Sequence, residues 1–159
     1  MSDFLEDVKT AVFPTAFALL PYKMDSREAR AMLLAIGLQE SRFVHRKQIG
    51  GPAKGFWQFE EGGGVRGVMN HVSTREHARD VCLARNVPPI VKLCYDKIET
   101  DDVLACCFAR LLLYTLPSPL PGPGEHDEAW RQYLSAWRPG KPHRLTWDDF
   151  YGRAWQEIA

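Results

Sequence analysis

The sequence has no long apolar run, no excess of either charge and few cysteines, and each absence excludes a class of protein. No segment stays apolar over the roughly 20 residues that a membrane-spanning helix needs, so no membrane span is expected. The 20 Lys and Arg residues balance the 20 Asp and Glu residues without a basic stripe, which argues against a nucleic-acid partner. The first residues, MSDFLEDVKT, lack the basic and apolar regions of a secretory signal, so we expect synthesis in the cytoplasm without a cleavable signal.

The cysteines and glycines form no recognisable cofactor motif. The four cysteines contain no CxxC pair and no histidine cluster accompanies them, so no metal site is expected. We expect reduced, mostly buried thiols, which suit a reducing compartment, at Cys82, Cys94, Cys106 and Cys107. The glycines between Gly50 and Gly67 match neither GxGxxG nor GxxxxGK[ST], and no cofactor is expected.

Helical periodicity runs through nearly the whole chain and predicts the fold class. Apolar residues recur at helical spacing from Phe4 to Phe17 and again from Val103 to Leu113. The chain is long enough for one domain with a substantial core, and too little follows the Pro-rich segment 117–124 to form a second one. We therefore predict a single all-α, or nearly all-α, domain over residues 1–159. Its glycine-rich stretch should form a loop or short β segment that lines a cleft.

Start and stop signals predict the helix boundaries. Pro14 predicts a break or kink near Phe13. Asp25 as a cap, with Glu28 completing a capping box, predicts a helix from Glu28 to Arg42 that is apolar on more than one side and therefore buried. Later helices are predicted to begin at Ser73, at Pro88 and Pro89, at Thr100 or Asp101, near Glu125, and at Thr146.

Glu40 is the residue most suggestive of chemistry. It ends the apolar helix, where desolvation can raise the pKa of a carboxyl and make it a general acid. Ser41 follows and could hydrogen-bond the carboxyl. We expect Glu40 to have a raised pKa and to lie at the floor of a groove near Gln58.

Residues 33–59, LLAIGLQESRFVHRKQIGGPAKGFWQF, resemble the catalytic core of the lysozyme-like soluble lytic transglycosylases. That family has an apolar helix ending in Glu-Ser, a loop, and then a Gly-aromatic-Gln segment. Glu40 and Ser41 match the first motif. The second is matched by Gly55, Phe56, Trp57, Gln58 and Phe59.

The resemblance implies cleavage of the β-1,4 bond between MurNAc and GlcNAc in peptidoglycan glycan strands. Glu40 would protonate the glycosidic oxygen and then act as the base that draws a proton from the C6 hydroxyl, closing a 1,6-anhydro ring without water. Ser41, Gln58 and the segment from Gly55 to Trp57 would bind substrate. Of the five tryptophans, we place Trp57 in the cleft.

The family's third motif, Ala-Tyr-Asn-Ala-Gly, has only a weak counterpart. In the segment SAWRPG, Trp137 stands in the place of the tyrosine and Arg138 in the place of the asparagine. Tyr133, one helical turn earlier, could instead supply the hydroxyl, so Tyr133 and Trp137 are both candidate substrate-binding residues. The basic residues Arg42, Arg46 and Lys47 lie in a loop beside Glu40 and could meet peptide carboxylates, or could simply be solvated.

Two alternatives stay open at this point. An inverting hydrolase would need a second carboxylate to activate water. The candidates are Glu60, Glu61, Asp80 and Asp96. A virion structural or glycan-binding module that keeps a lysozyme fold without turnover is the other alternative. The missing signal suggests a bacteriophage product, either a lysin or a virion component that acts on the bacterial cell wall, with other virion or lysis proteins as partners.

Overall fold

The computed structural model describes residues 4–159, and all of the regular elements in that range are helical, which confirms the all-α prediction. None of these helices is both long and apolar enough to cross a membrane. The α-helices are α1 (Leu5–Asp7), α2 (Phe13–Ala18), α3 (Arg27–Glu40), α4 (Arg66–Asn70), α5 (Arg75–Ala84), α6 (Val91–Ile98), α7 (Asp102–Tyr114), α8 (His126–Trp137) and α9 (Arg144–Ile158). Two π-helical segments (Val8–Val12 and Glu61–Val65) and one 3₁₀ turn (Tyr22–Met24) complete the set.

Helices α3 and α7 form the centre of one continuous hydrophobic core. The side chains of α3 are buried without interruption from Ala31 to Leu38, and those of α7 from Leu104 to Leu113. A helix that is apolar all round must be covered on all sides, and α3 packs against both α9 and α7. The predicted central, buried helix is therefore present, and its end carries Glu40 toward the surface.

Side-chain caps fix the starts of the two central helices. The Ser26 hydroxyl accepts a hydrogen bond from the Ala29 amide at 3.0 Å, so Ser26 caps α3 and the prediction of Asp25 as the cap is wrong. Asp25 instead forms a two-point ion pair with Arg30 at 2.8 and 2.9 Å. Asp101, one of the two candidates, does cap α7, since its carboxylate accepts from the Leu104 amide at 3.0 Å.

Two other predicted caps are wrong. Helix α5 begins at Arg75, after Thr74 rather than at Ser73, and the Thr74 hydroxyl donates to the carbonyl of Val68 at 2.6 Å. Thr146 lies inside α9 and bonds Gln39 at 2.9 Å, which ties α9 to the end of α3. In both places the hydroxyl joins two parts of the fold instead of capping its own helix.

The chain does not break at Phe13. A π-helical turn over Val8–Val12 leads directly into α2, with Pro14 in the first turn of that helix. Pro14 has no amide hydrogen to donate, and a proline is tolerated in the first turn because the amides there have no helical partner. The predicted break is thus replaced by a change of helix type.

The glycine-rich stretch combines a loop with a helix. Lys54 forms isolated antiparallel bridges with Lys47 and Phe59, which is the short extended pairing expected there. The next residues, Glu61–Val65, form a π-helix, which the glycine run did not predict. A Cβ at Gly64 would come within 2.6 Å of the Phe59 ring, so glycine permits this close approach.

The four cysteines are free and buried, as expected. The sulfurs of Cys82 on α5 and Cys94 on α6 lie 3.1 Å apart. Burial raises the pKa of the Cys107 thiol to about 12 and holds that of Cys106 well above its ordinary value. Because the thiolate is the reactive form, these two thiols act as core packing.

Candidate active site

Glu40 is the last residue of α3 and is partly buried. Tyr133 on α8 donates its phenolic hydrogen to one oxygen of the Glu40 carboxylate. The hydrogen bond joins the end of α3 to the second half of α8 and fixes the direction of the carboxyl. Tyr133 is therefore the partner of Glu40 in this structure.

The environment of Glu40 makes its carboxyl hold a proton near neutral pH. Burial raises the pKa of Glu40 from 4.5 to about 7; the hydrogen bond from Tyr133 acts in the opposite direction, and the negative charge of Glu60 adds to the increase. The pKa of Tyr133 is raised by its burial and by the adjacent Glu40 charge, so Tyr133 keeps its hydrogen. A carboxyl with a pKa near 7 can both give and take a proton at neutral pH.

A column of aromatic rings holds Tyr133 in place. The Tyr133 ring stacks on Trp147 of α9, with centroids 5.0 Å apart and planes inclined by 11°. Trp147 is fully buried and stacks in turn on Tyr151 at 5.9 Å. Because α9 also packs on α3, the same helix supports both Glu40 and the tyrosine that binds it.

Ser41 does not bind the Glu40 carboxyl and is not exposed to a ligand. It is 6% exposed, its hydroxyl donates to the Phe56 carbonyl at 2.6 Å, and its oxygen accepts from the Phe43 amide at 3.1 Å. The predicted role of Ser41 in substrate binding is therefore corrected. Its hydroxyl ties the turn after α3 to the Gly55–Phe59 segment.

The Gly55–Phe59 segment is mostly core, with one residue at the cleft. Gly55 has a φ of +78°, and a Cβ there would lie 2.8 Å from an Ile98 methyl, so the position requires glycine. Phe56 is buried, and Trp57 is fully buried with its indole N–H donating to the Leu33 carbonyl at 2.8 Å. The prediction that Trp57 lies in the cleft is therefore wrong, and the side chains of Phe56 and Trp57 belong to the core.

Gln58 is the member of that segment that reaches the cleft. Its backbone is left-handed, with a φ of +53°, which turns the chain outward immediately after the buried Trp57. Its side-chain amide donates to the Gly55 carbonyl at 2.8 Å. Gln58 is partly buried and lines the cleft.

A cleft of about 690 Å³ opens beside these residues. One wall comes from the glycine-rich stretch and α4, and the other from the ends of α7 and α8. Trp137 lies in the second wall, and its indole N–H donates to the Trp57 carbonyl at 2.8 Å. Glu40 does not line this cleft, so the expectation that it lies at the floor of the groove is wrong. Tyr133, which binds Glu40, has its ring centroid 6.4 Å from that of Trp137 in the cleft wall.

The four candidates for a second carboxylate differ in their position relative to the cleft. Glu60 is exposed, lines the cleft and acts electrostatically on Glu40. Asp96 is bound by Lys54 and Lys92 at 3.2 and 3.1 Å. Neither Asp96 nor Asp80 nor Glu61 lines the cleft.

The basic loop beside Glu40 has a structural role at Arg46. Its guanidinium lies 4.3 Å from the Phe4 ring centroid and 4.5 Å from that of Phe56, and it pairs with Asp102. The guanidinium of Arg46 therefore has a structural role, since it packs on two aromatic rings and pairs with Asp102. Arg42 is exposed and lies over the Phe150 ring at 5.6 Å, away from the cleft lining.

Sequence reasoning missed the contribution of α7 and α4 to the cleft. Leu112, Thr115 and Leu116 lie at or just beyond the end of α7, where the apolar pattern runs on past the last helical residue. That continuation was the available signal. Arg66 and Asn70 of α4 have no local pattern that marks them as cleft residues.

Comparisons of the chain with protein-family models, curated proteins and solved structures find no match. Within residues 4–159, no group of three or more His, Cys, Asp or Glu side chains is placed to hold a metal ion.

Proposed function

We propose that this protein cleaves the β-1,4 glycosidic bond between MurNAc and GlcNAc in peptidoglycan, by non-hydrolytic lytic transglycosylation. The observation that carries the proposal is Glu40, a carboxyl with a pKa of about 7 that Tyr133 binds, and the Tyr133 ring in turn packs beside Trp137 of the cleft wall. A carboxyl with a pKa near neutrality suits a reaction in which one group serves as acid and then as base. The resemblance of residues 33–59 to lytic transglycosylases supports the same reaction.

In the first step, protonated Glu40 gives its proton to the glycosidic oxygen as the bond from that oxygen to C1 of MurNAc breaks. The positive charge that develops at C1 is stabilised by the substrate's own N-acetyl group. In the second step, the Glu40 carboxylate takes the proton of the C6 hydroxyl, and O6 forms a bond to C1. The product ends in 1,6-anhydro-MurNAc, and Glu40 is again protonated.

The cleft supplies the groups that a glycan needs. Ligand clefts commonly measure about 300–1,000 Å³ and combine apolar surface with a few polar groups, and this cleft is of that size and kind. Trp137 offers a partly buried aromatic ring, and Gln58 offers an amide, which suit the apolar face and the hydroxyls of a sugar. Tyr133 acts as a positioning residue by orienting the Glu40 carboxyl.

Hydrolysis by an inverting route is the second candidate, and Glu60 favours it. An inverting enzyme needs a carboxylate across the sugar to activate water. Glu60 is the one candidate of the four that lines the cleft and also influences Glu40. Glu60→Gln therefore separates the routes, since it would abolish inverting hydrolysis and leave transglycosylation largely intact.

The experiment is to digest purified peptidoglycan with the parent protein and with Glu40→Gln, and to analyse soluble products by mass spectrometry. Glu61→Gln serves as a matched control because it makes the same substitution at a residue that does not line the cleft. We expect 1,6-anhydro-MurNAc ends, one water lighter than reducing ends, from the parent and the control only. Reducing ends would establish hydrolysis. Release of nothing beyond what Glu40→Gln releases would refute the enzyme and favour a glycan-binding or structural module.

A further inference from the structure

A hydrogen bond joins the two residues that immediately precede Gln58 and Arg138 in the chain. The indole N–H of Trp137 donates to the carbonyl of Trp57 at 2.8 Å. The residues that follow these two, Arg138 and Gln58, both have left-handed backbones, with φ values of +49° and +53°. Gln58 and Arg138 both line the cleft. A left-handed residue therefore faces the cleft from each of two separate chain segments.

The residue type at position 138 is unexpected for its backbone. Arg138 is the C-cap of α8, a place where a left-handed conformation is common and is usually taken by glycine or asparagine. A branched or long side chain there carries a conformational cost that glycine avoids. Arg42 also has a left-handed backbone, with a φ of +56°, and its guanidinium lies over the Phe150 ring. The guanidinium of Arg138 is instead exposed and lines the cleft.

Arg138 is accompanied by a second cation. Arg66, in the first turn of α4, lines the same cleft and is also exposed. Neither guanidinium forms an ion pair within residues 4–159, in contrast to Arg85 and Arg144, which bind Asp101 and Asp148. The cleft thus offers two open guanidinium forks, and a guanidinium binds a carboxylate through two parallel hydrogen bonds.

We propose that Arg138, with Arg66, is a specificity-determining residue that binds a carboxylate carried by the glycan strand. This inference rests on the proposed function and names the form of substrate that the same site prefers. Two carboxylates of peptidoglycan share the chemistry, the one freed on the lactyl group when the peptide is removed and those of the stem peptides. The geometry favours strands that carry either of them over neutral strands.

The test uses three preparations of one peptidoglycan. The first is intact strands, and the second is strands stripped of peptides by an amidase, so that the lactyl carboxylates are free. The third is intact strands whose carboxyls have been amidated with carbodiimide and ammonia. Cleavage rates are measured for the parent, Arg138→Gly, Arg138→Lys and Arg75→Ala. Arg75, the first residue of α5, is exposed and does not line the cleft, so its variant is the matched control. Binding of Glu40→Gln and of Glu40→Gln with Arg138→Gly to the insoluble strands is measured in parallel.

Arg138→Gly removes the guanidinium and relieves the left-handed backbone, so it should melt no lower than the parent. We expect it to cleave intact strands about tenfold more slowly than the parent, which corresponds to one charge-assisted hydrogen bond. Amidation should slow the parent by a similar factor and shrink the difference between the two proteins, and Arg138→Lys should recover part of the rate. A preference of the parent for intact or for amidase-treated strands identifies the source of the carboxylate.

Equal rates for the parent and Arg138→Gly on intact strands would overturn the inference. So would a parent that cleaves amidated strands as fast as intact ones. Either result would leave the proposed function unaffected. Strands that are bound but not cleaved would refute the proposed enzymatic activity. The inference about Arg138 would then be decided by whether Glu40→Gln binds the strands more tightly than Glu40→Gln with Arg138→Gly. A parent that neither binds nor cleaves any preparation would overturn both.

Discussion

Tyr133 donates its phenolic hydrogen to the carboxylate of Glu40, 93 residues away in the chain. The hydrogen bond lowers the pKa of Glu40 and so opposes the increase that burial causes. The same phenol therefore has two effects on the acid, since it orients the carboxyl and limits how strongly the carboxyl holds its proton. These two effects can be separated by substitution.

Replacing Tyr133 with phenylalanine should reduce the rate and move its pH dependence upward. The ring remains stacked on Trp147, so the fold is kept, and the Glu40 carboxyl loses its orienting partner. We expect a loss of about 10- to 100-fold in kcat/KM, the range found when a reacting group is slightly misplaced. Because the hydrogen bond lowers the pKa of Glu40, its loss should raise that pKa above about 7 and shift the basic limb of the pH profile to higher pH.

Tyr151→Phe is the matched control for this change. Tyr151 stacks on the other side of Trp147 at 5.9 Å and donates to the Gly122 carbonyl at 2.8 Å, without contact to Glu40. Its variant should keep the parent pH profile. An unshifted basic limb in Tyr133→Phe would show that the phenol does not tune Glu40.

Glu60→Gln should move the basic limb in the opposite direction. The negative charge of Glu60 raises the pKa of Glu40, so removing that charge lowers the pKa, and the protonated acid is lost at a lower pH. The shift should be small and should shrink further in high salt, because Glu60 is exposed and its field is screened. The measurement is kcat/KM against pH at two ionic strengths, with Glu61→Gln as the control; a salt-independent shift would contradict an electrostatic cause.

Burial of Glu40 should cost stability at neutral and alkaline pH. The folded pKa of about 7 lies above the ordinary 4.5, so the folded state binds more protons than the unfolded chain between those values. The contribution of Glu40 to the free energy of unfolding is therefore fully present below about pH 4.5 and is lost as pH rises through about 7. At 1.36 kcal/mol for each pKa unit the loss is about 3 kcal/mol at most.

Glu40→Gln removes this titration and should raise the stability accordingly. Its melting temperature should exceed that of the parent at pH 8 and match it near pH 4. The exposed Glu76 of α5 provides the control, since Glu76→Gln should show no such pH-dependent gain. A constant difference between Glu40→Gln and the parent across this pH range would mean that Glu40 titrates normally in the folded protein.

The parts of the site that were predictable are those that a helix determines. Glu40 ends an apolar run, and burial at its end follows from the packing of α3 on all sides. Tyr133 and Trp137 are four residues apart on α8 and therefore share a face, which made Tyr133 a candidate for the hydroxyl despite the weak late motif.

The errors arose where two residues could satisfy the same local rule. Asp25 and Ser26 are both good N-caps, and the outcome depended on Arg30, which pairs with Asp25 and leaves the cap to Ser26. Trp57 could stack on a sugar or fill the core, and the Leu33 carbonyl, 24 residues earlier, provides the partner that a buried indole needs. Such long-range partners are invisible in a local pattern.

The same Gly→Ala substitution should have opposite effects in the two helices that support Glu40. In α3, a Cβ at Gly37 would lie 2.0 Å from the Phe43 ring, which is itself fully buried and cannot move without disturbing its neighbours. In α9, a Cβ at Gly152 would have nothing within 4 Å. We expect Gly37→Ala to destabilise by about 1–3 kcal/mol or more through overpacking. Gly152→Ala should stabilise by about 0.5–1 kcal/mol because alanine loses less backbone entropy in a helix. Urea unfolding of both variants measures the two signs directly, and a stable Gly37→Ala protein would show that the turn after Glu40 tolerates a displaced Phe43.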